Sequence, residues 1–294
     1  MVSNDLDTLP AVYLAARIRG IPLVFDSHEY FTELPELVGR RFVRRIWERL
    51  EKAFLPKIHY GYTVCQSISL AYRDKYGIRL AVVRNLPLAS PQVAEGKGYD
   101  ENKQPDLILY QGAINMGRGL ETMIRAMTSL EKYRLQIFGE GTITKNLVRL
   151  RDSLSLGNRV EFMGRVPFNE LRMYTRQAAL GISLEENIGL NYYYALPNKL
   201  FDYIQAEIPV LVSDLPEMRR IVDDFQIGQV VRDPDPELLA RQVEEMMSNE
   251  ELRTKWKKNL RPAARELCWE NEVDILRDVY RDAGLTFPVK PRSP

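Results

Sequence analysis

The loop Leu184-Glu-Glu-Asn-Ile-Gly-Leu-Asn-Tyr-Tyr-Tyr-Ala-Leu-Pro-Asn-Lys-Leu-Phe-Asp202 carries the richest set of reactive groups in the chain. It leads into a helix expected over 197–206, where Pro197 suits the first turn because its missing N–H would find no partner there anyway. Leu200, Phe201, Ile204 and Ile208 would form the apolar face, leaving Asn198, Lys199, Asp202 and Tyr203 toward the other side. A helix N-terminus attracts anions, and Lys199 adds a full positive charge to its first turn. A lysine in that place is expected to meet an anion, and a diphosphate is one. Asp202, a turn deeper, is suited to accept hydrogen bonds from a ribose diol. The competing reading is a surface Lys199–Asp202 pair at i, i+3, worth a few tenths of a kcal/mol.

A second loop, Tyr110-Gln-Gly-Ala-Ile-Asn-Met-Gly-Arg-Gly-Leu-Glu121, follows an expected strand and opens a helix. Its glycines permit close backbone approach to phosphate, with Arg118 as a two-pronged partner. The spacing matches neither a dinucleotide fingerprint nor a P-loop. A third, Asp26-Ser-His-Glu-Tyr-Phe31, sets His28 at the carboxyl end of a strand, where ligands of open α/β sheets bind. A lone histidine is more often structural, and His59, ahead of its strand, keeps that reading.

The elements that must position these loops alternate. Strands are expected at 22–26, 60–65 and 81–84, with helices at 8–19, 38–54 and 67–76. Residues 86–105, rich in Pro, Gly and charge, read as a linker. Strands then recur at 107–111, 134–138, 159–162, 180–184 and 209–213. The helices between and after them are expected at 119–130, 143–154, 168–177, 197–206, 216–224, 235–247, 249–265 and 270–283. Buried strands alternating with helices imply α/β domains with parallel sheets. The second half reads as a fairly complete doubly wound domain, the first as one with only about three strands.

A net charge of +1 over 294 residues gives no reason to expect a nucleic-acid partner. Two distant cysteines, Cys65 and Cys268, fit free thiols in a reducing cytoplasm, and no Cys/His cluster suggests a metal. No apolar run is long enough for a transmembrane helix, and the N-terminus has no secretory pattern. Helix 38–54 interleaves Arg40, Arg41, Arg44, Arg45, Arg49 and Lys52 with Phe42, Val43, Ile46, Trp47 and Leu50. A peripheral contact with an anionic membrane is one use of such a helix. Packing of the apolar stripe on the sheet is favoured, because Glu48 and Glu51 dilute the charge.

Taken together, these residues resemble the family-4 retaining glycosyltransferases. Glu186-Asn-Ile-Gly-Leu190 is similar to the start of that family's acidic signature, and Leu196-Pro-Asn-Lys-Leu-Phe-Asp-Tyr203 with Ala206-Glu-Ile-Pro-Val-Leu-Val-Ser213 to its second half. Ser3-Asn-Asp-Leu-Asp-Thr-Leu9, Asp26-Ser-His-Glu29, Val83-Arg-Asn-Leu-Pro87, Gln111-Gly with Gly117-Arg-Gly-Leu-Glu121, and Phe162-Met-Gly-Arg-Val166 follow in the family's order. The resemblance implies the GT-B fold, two Rossmann-like domains facing across a cleft. These would be a partial, acceptor-side domain at 1–95, a nucleotide-sugar-binding domain at 96–265, and a helix and tail at 266–294 packing back toward the first.

It also implies roles. Glu186, with Glu185 as a close rival, would lie at the donor sugar's reacting face, and His28 would reach that sugar from the N-terminal domain. Arg118 and Lys199 would hold the diphosphate and Asp202 the ribose. Asn198, Gly112, Gly189 and Leu190 would belong to the donor site, the last two through backbone N–H groups, and Val166 would lie beside the base. Asn4 and Asp5 would fall on the acceptor side.

The implied partners are a nucleotide-sugar donor and a glycan or lipid-linked acceptor, in the cytoplasm or at the inner membrane face, with neither cofactor nor metal. A nucleotide-sugar epimerase on the same fold, or a non-catalytic nucleotide-sugar-binding subunit, are the alternatives. The chain departs from the pattern at two places. Fifteen residues separate Glu186 from Asp202, so Asn191-Tyr-Tyr-Tyr-Ala is expected to loop out, and Ala113 stands where the family often has Arg. The first strands and glycine-rich loop of the N-terminal domain are expected to be missing, as in a fragment, a chain whose start was assigned too late, or one completed by a second chain.

Overall fold

A computed structural model describes residues 1–34, 37, 39–90 and 103–286. Most of the linker expected at 86–105 falls on 91–102, outside the described residues. The chain divides into two compact units, one of Met1–Asn85, Ile188–Ala195 and Trp269 onward, the other of Leu86–Asn187 and Leu196–Cys268.

In the first unit the chain runs β1 (Val2–Asn4), α1 (Asp5–Arg19), β2 (Val24–Ser27), α2 (Arg41–Phe54), β3 (Tyr60–Thr63), α3 (Gln66–Tyr76) and β4 (Ala81–Val82). The four strands are parallel, in the order β1-β2-β3-β4. One more strand is present than the sequence suggests, because Val2–Asn4 is too short to show a period. All four residues of β2 are buried, as a strand covered on both faces requires. Gly61 on β3 leaves room for it: a Cβ there would stand 2.7 Å from the Phe25 carbonyl oxygen.

The second unit contains β5 (Leu107–Gln111), α4 (Leu120–Ala126), β6 (Arg134–Phe138), α5 (Thr144–Ser153), β7 (Val160–Gly164), α6 (Phe168–Gln177) and β8 (Leu180–Ser183). After β8 the four-residue helix α7 (Leu190–Tyr193) belongs to the first unit. The second unit resumes with α8 (Asn198–Gln205), β9 (Val210–Val212), α9 (Pro216–Phe225), β10 (Gly228–Val230), α10 (Pro236–Ser248) and α11 (Glu250–Glu266). Its six strands are parallel, in the order β10-β9-β8-β5-β6-β7. Side chains of a strand alternate between faces. Ile108 and Tyr110 therefore join the core under α4 and α10, while Leu107 and Leu109 join the core under α8 and α9. The strand order reverses between β5 and β8, which opens a crevice at their carboxyl ends.

The last helix, α12 (Trp269–Asp282), packs on β3 and β4, with Val279 and Ala283 against Val24, Tyr60 and Tyr62. Glu272 accepts from the Arg84 backbone N–H at 2.9 Å and from Arg84 Nε at 2.7 Å.

Three expectations about local packing are corrected. Tyr203 lies in the core with Leu200 and Phe201, so α8 is buried nearly all round. The segment expected to loop out at 191–195 instead joins the first unit. There Asn191 Oδ1 accepts from the Tyr30 N–H at 3.0 Å, the Tyr194 carbonyl accepts from Cys65 Sγ at 3.3 Å, and the Tyr194 ring lies tilted against Tyr30 with centroids 6.2 Å apart. The apolar stripe of α2 is only partly covered: Phe42, Val43 and Ile46 are exposed, and the helix packs chiefly against α1 and the turns at Phe31–Glu33 and Leu55–Lys57.

Candidate functional site

Side chains converge in the second unit at the β5/β8 switch point. Ser183 closes β8 and Glu185 follows two residues later, so both side chains turn to the same side. The Ser183 hydroxyl donates to Glu185 Oε2 at 2.7 Å. Lys199, in the first turn of α8, donates to Glu185 Oε1 at 2.8 Å, and Arg118 Nη1 reaches the same oxygen at 3.3 Å. The Lys199 ammonium also lies 4.1 Å from the centroid of the Tyr110 ring, a cation–π contact.

Glu185 and Lys199 are both buried. Burial pushes the Glu185 carboxyl up, but Lys199, Ser183 and Arg118 together outweigh it and hold the group below the ordinary range. Lys199 thus has an anion within the protein, and it is neither a ligand nor Asp202. Two cations, Lys199 and Arg118, thus face the one Glu185 carboxylate.

Asp202, on the next turn of α8, takes a different partner. Gln111 Nε2 donates to Asp202 Oδ2 at 2.8 Å, and the Thr175 hydroxyl donates to Gln111 Oε1 at 2.8 Å, which fixes the amide's orientation. Burial raises the Asp202 carboxyl to about 6, against the opposing pull of Arg172 and the Gln111 bond. The helix is anchored beneath it by Tyr203, whose hydroxyl accepts from the Gln111 N–H at 3.1 Å and donates to the Ile182 carbonyl at 3.1 Å. Gly181 makes room for that ring, since a Cβ would come within 2.5 Å of it.

Beside the cluster the loops pack backbone to backbone. Gly112 N–H donates to the Phe138 carbonyl at 3.0 Å, and Gly139 N–H to the Gly164 carbonyl at 2.8 Å. A Cβ on Gly139 would fall 1.9 Å from the Gly112 carbonyl oxygen. The recess there is lined by Gly112, Ala113, Gly139, Glu140, Val166 and Phe168. Gly119 lets the second loop approach the end of β8; its φ is +66° and a Cβ would lie 2.2 Å from the Leu184 carbonyl oxygen.

The remaining expected site residues divide between the two units. Glu186 is exposed and lines a recess with Glu185, Gly119, Thr122, Asp214 and Arg232, while its N–H donates to the Gly117 carbonyl at 2.9 Å. Asn198 is exposed at the start of α8. Gly189 and Leu190 lead into α7, in the first unit.

His28 also lies in the first unit, at the carboxyl end of β2. Its N–H donates to Asp5 Oδ1 at 2.8 Å, and its ring nitrogens stand 3.5 Å from Asp5 and 3.3 Å from Asp26. Burial raises the Asp5 carboxyl, against the lowering effect of His28. Tyr62 donates to Asp26 Oδ2 at 2.8 Å, and burial together with that bond pushes the phenol well up. Asn4 is exposed, with its carbonyl accepting from the Thr8 hydroxyl at 2.7 Å.

Sequence reasoning missed Gln111, Ser183, Tyr110 and Arg172 as site residues. Only the Ser183/Glu185 spacing gave a usable signal, since period-2 alternation puts Glu185, and not Glu186, beside Ser183. Among the described residues no group of three His, Cys, Asp or Glu is arranged to hold a metal ion. Cys65 and Cys268 are buried free thiols.

This doubly wound unit matches a known family. The sequence model described as "Glycosyl transferases group 1" covers residues 94–262, more than half of the chain. The chain belongs to that family. It is 25% identical to an α-D-kanosaminyltransferase of Streptomyces kanamyceticus over 295 residues, 93% of this chain and 74% of that one. It is 23% identical over 212 residues to the putative glycosyltransferase EpsD of Bacillus subtilis, covering 70% of this chain and 52% of that relative. Among solved structures, Anabaena HepE in complex with UDP-glucose aligns with a TM-score of 0.73 at 15% identity, over 96% of this chain and 78% of that one. At that identity the likeness speaks for the fold alone, an α/β fold of GT-B type with two parallel-sheet domains. No helix among the described residues is long and apolar enough to cross a membrane.

Proposed function

We propose that this glycosyltransferase is a retaining enzyme of the family-4 kind. It moves a sugar from a nucleotide diphosphate sugar to a hydroxyl acceptor in glycan, polysaccharide or glycolipid synthesis. The observation that carries the reading is the convergence of Lys199 and Arg118 on one buried carboxylate oxygen at the switch point. A diphosphate leaving group gains negative charge as the glycosidic C–O bond lengthens, and preorganised cations stabilise that charge. HepE, of the same fold, is described in complex with UDP-glucose, which supports a donor of this class.

The donor base would sit in the recess at Val166 and Gly112, and the ribose diol would donate to Asp202. Lys199, Arg118 and the N–H groups opening α8 would take the diphosphate, so no step is routed through a metal. The bond from the anomeric carbon to the phosphate oxygen breaks, its electron pair going to the diphosphate. The acceptor oxygen bonds the same carbon from the same face, and its proton passes to the departing phosphate. Glu185 would balance the charge of Lys199 between turnovers, and Glu186 and His28 remain the candidates for contact with the sugar.

Asp202→Ala should weaken binding of UDP or GDP by tenfold or more, about 1.4 kcal/mol, in calorimetry. Unchanged affinity would remove the ribose assignment. A turnover assay with donor and acceptor should yield a glycoside with retained anomeric configuration. A C2-epimerised nucleotide sugar would point to an epimerase instead, and binding without turnover to a non-catalytic subunit.

A further inference from the structure

Helix α2 divides its charge unevenly around its axis. At 100° per residue, Arg41, Lys52, Arg45, Arg49, Phe42, Ala53 and Ile46 fall on one continuous arc, and all seven are exposed. No carboxylate lies on that arc. Of the acids that dilute the helix's charge in the sequence, Glu51 points away from the arc, while Glu48 borders its basic edge about 20° beyond Arg41. Glu51 is buried and bonded to Lys75 and Tyr76, and Glu48 is held by Arg44 at 3.0 Å. The inner side is fully engaged, with Trp47 against Phe31 and Arg44 paired with Glu33.

By contrast, among the described residues Arg41, Arg45, Arg49 and Lys52 form no ion pair. Phe42 is 76% exposed, although burying a phenylalanine stabilises a fold by kcal-scale amounts. The neighbouring α1, whose Tyr13 meets Phe54 of α2 edge-on, also leaves Leu14 and Ile18 exposed, at 55% and 86%, beside Arg17 and Arg19.

We infer that the outer arc of α2 is a docking surface for an anionic lipid bilayer. Within the arc the basic side chains occupy one edge and Phe42, Ala53 and Ile46 the other. A helix lying in the plane of an interface needs that arrangement: apolar groups enter the acyl boundary while long basic side chains reach up to the phosphates. Charge complementarity selects an anionic surface over a neutral one, since each basic group near such a surface adds binding. The net charge of the whole chain is only +1, so the attraction is local to this face. The inference is independent of the donor-binding reading, and its test needs no sugar.

The full chain should be floated with vesicles of phosphatidylcholine alone and of phosphatidylcholine mixed with phosphatidylglycerol. Binding is expected only to the anionic mixture, falling as salt is raised. Arg45→Gln with Arg49→Gln should weaken it about 25-fold, from about fivefold per charge. Phe42→Ser with Ile46→Ser should weaken it about tenfold or more. These side chains are exposed, so circular dichroism and melting temperature should stay at wild-type values and certify the fold.

Equal binding to neutral vesicles, no binding to either, or insensitivity to both double variants would overturn the proposal. So would sedimentation equilibrium showing that Phe42→Ser with Ile46→Ser dissolves a dimer, which would make the face a contact between copies. A short DNA duplex that binds as tightly as the vesicles and in place of them would reassign the surface to soluble polyanions.

Discussion

Replacing Lys199 with methionine removes the strongest partner of a fully buried carboxylate. Breaking a buried pair from one side costs about 3–5 kcal/mol, because the surviving charge keeps its desolvation penalty. Arg118 and Ser183 still hold Glu185, so the loss should sit nearer 2–3 kcal/mol. That is a fall of about 1 M in the urea midpoint of the unit, taking a slope of about 2–3 kcal/mol per molar. Lys199→Met with Glu185→Gln removes both charges and keeps an amide for Ser183 and Arg118, so stability should return to within about 1 kcal/mol of wild type.

Affinity for UDP should not return with it. Charge-assisted hydrogen bonds to phosphate contribute about 1.5–3 kcal/mol, so both variants lacking Lys199 should bind about 10- to 150-fold more weakly in calorimetry. Glu185→Gln alone has opposite effects on the two readouts: it lowers stability but tightens UDP binding, by removing the carboxylate that competes for Lys199 and Arg118. Recovery of wild-type affinity in the double variant would mean that Lys199 serves only the fold, and the diphosphate assignment would fail.

Two further outcomes follow from the same unit. A folded-state value of about 6 for Asp202, above the ordinary 3.8, means that folding favours its protonated form. Its ionisation therefore disfavours the native state increasingly as pH rises from about 4 through 6, and the penalty is complete above that window. Binding of a nucleotide sugar, whose diphosphate does not titrate there, should strengthen over the same rise as the carboxylate forms. In Asp202→Asn the binding step should vanish and stability above pH 6 should be retained or improved. A binding profile between pH 5 and 7 that is identical in the variant would refute the link. Gly119→Ala places a Cβ 2.2 Å from the Leu184 carbonyl oxygen at a positive φ. It should cost at least about 2 kcal/mol, read as a melting temperature lower by about 5 °C; an unchanged melt would show that the loop yields freely.

The strand at 107–111 stood out as a short, largely apolar run and that at 134–138 as an alternation of polar and apolar residues, each followed by glycine, and both keep those limits in the structure. β1 and β10 did not, as three residues show no period. Lys199 was legible as a charge needing an anion. That the anion is Glu185 was not, because the two stand fourteen positions apart with α7 and its excursion into the first unit between them, and only the fold brings them together. The assignment of Tyr203 to the outer side failed for a related reason. A polar tip reads as exposed in a helical projection, whereas here three backbone groups of β5 and β8 satisfy its hydroxyl inside the core. Helix α2 erred the other way, since its sequence shows how many acids it holds but not that Glu51 is buried and Glu48 tied to Arg44.

The first unit is assembled from three separate stretches of chain, ending with α12. During synthesis the β3 and β4 strands leave the ribosome roughly 200 residues ahead of the helix that covers them, which at about 5–20 residues per second is a wait of at least ten seconds. The second unit has all its residues once Cys268 has emerged, so the first unit, begun earlier, is completed later. Until then Tyr60, Tyr62 and Val24 face water on the side that Val279 and Ala283 will cover, and the nascent chain must stay soluble with a half-dressed sheet.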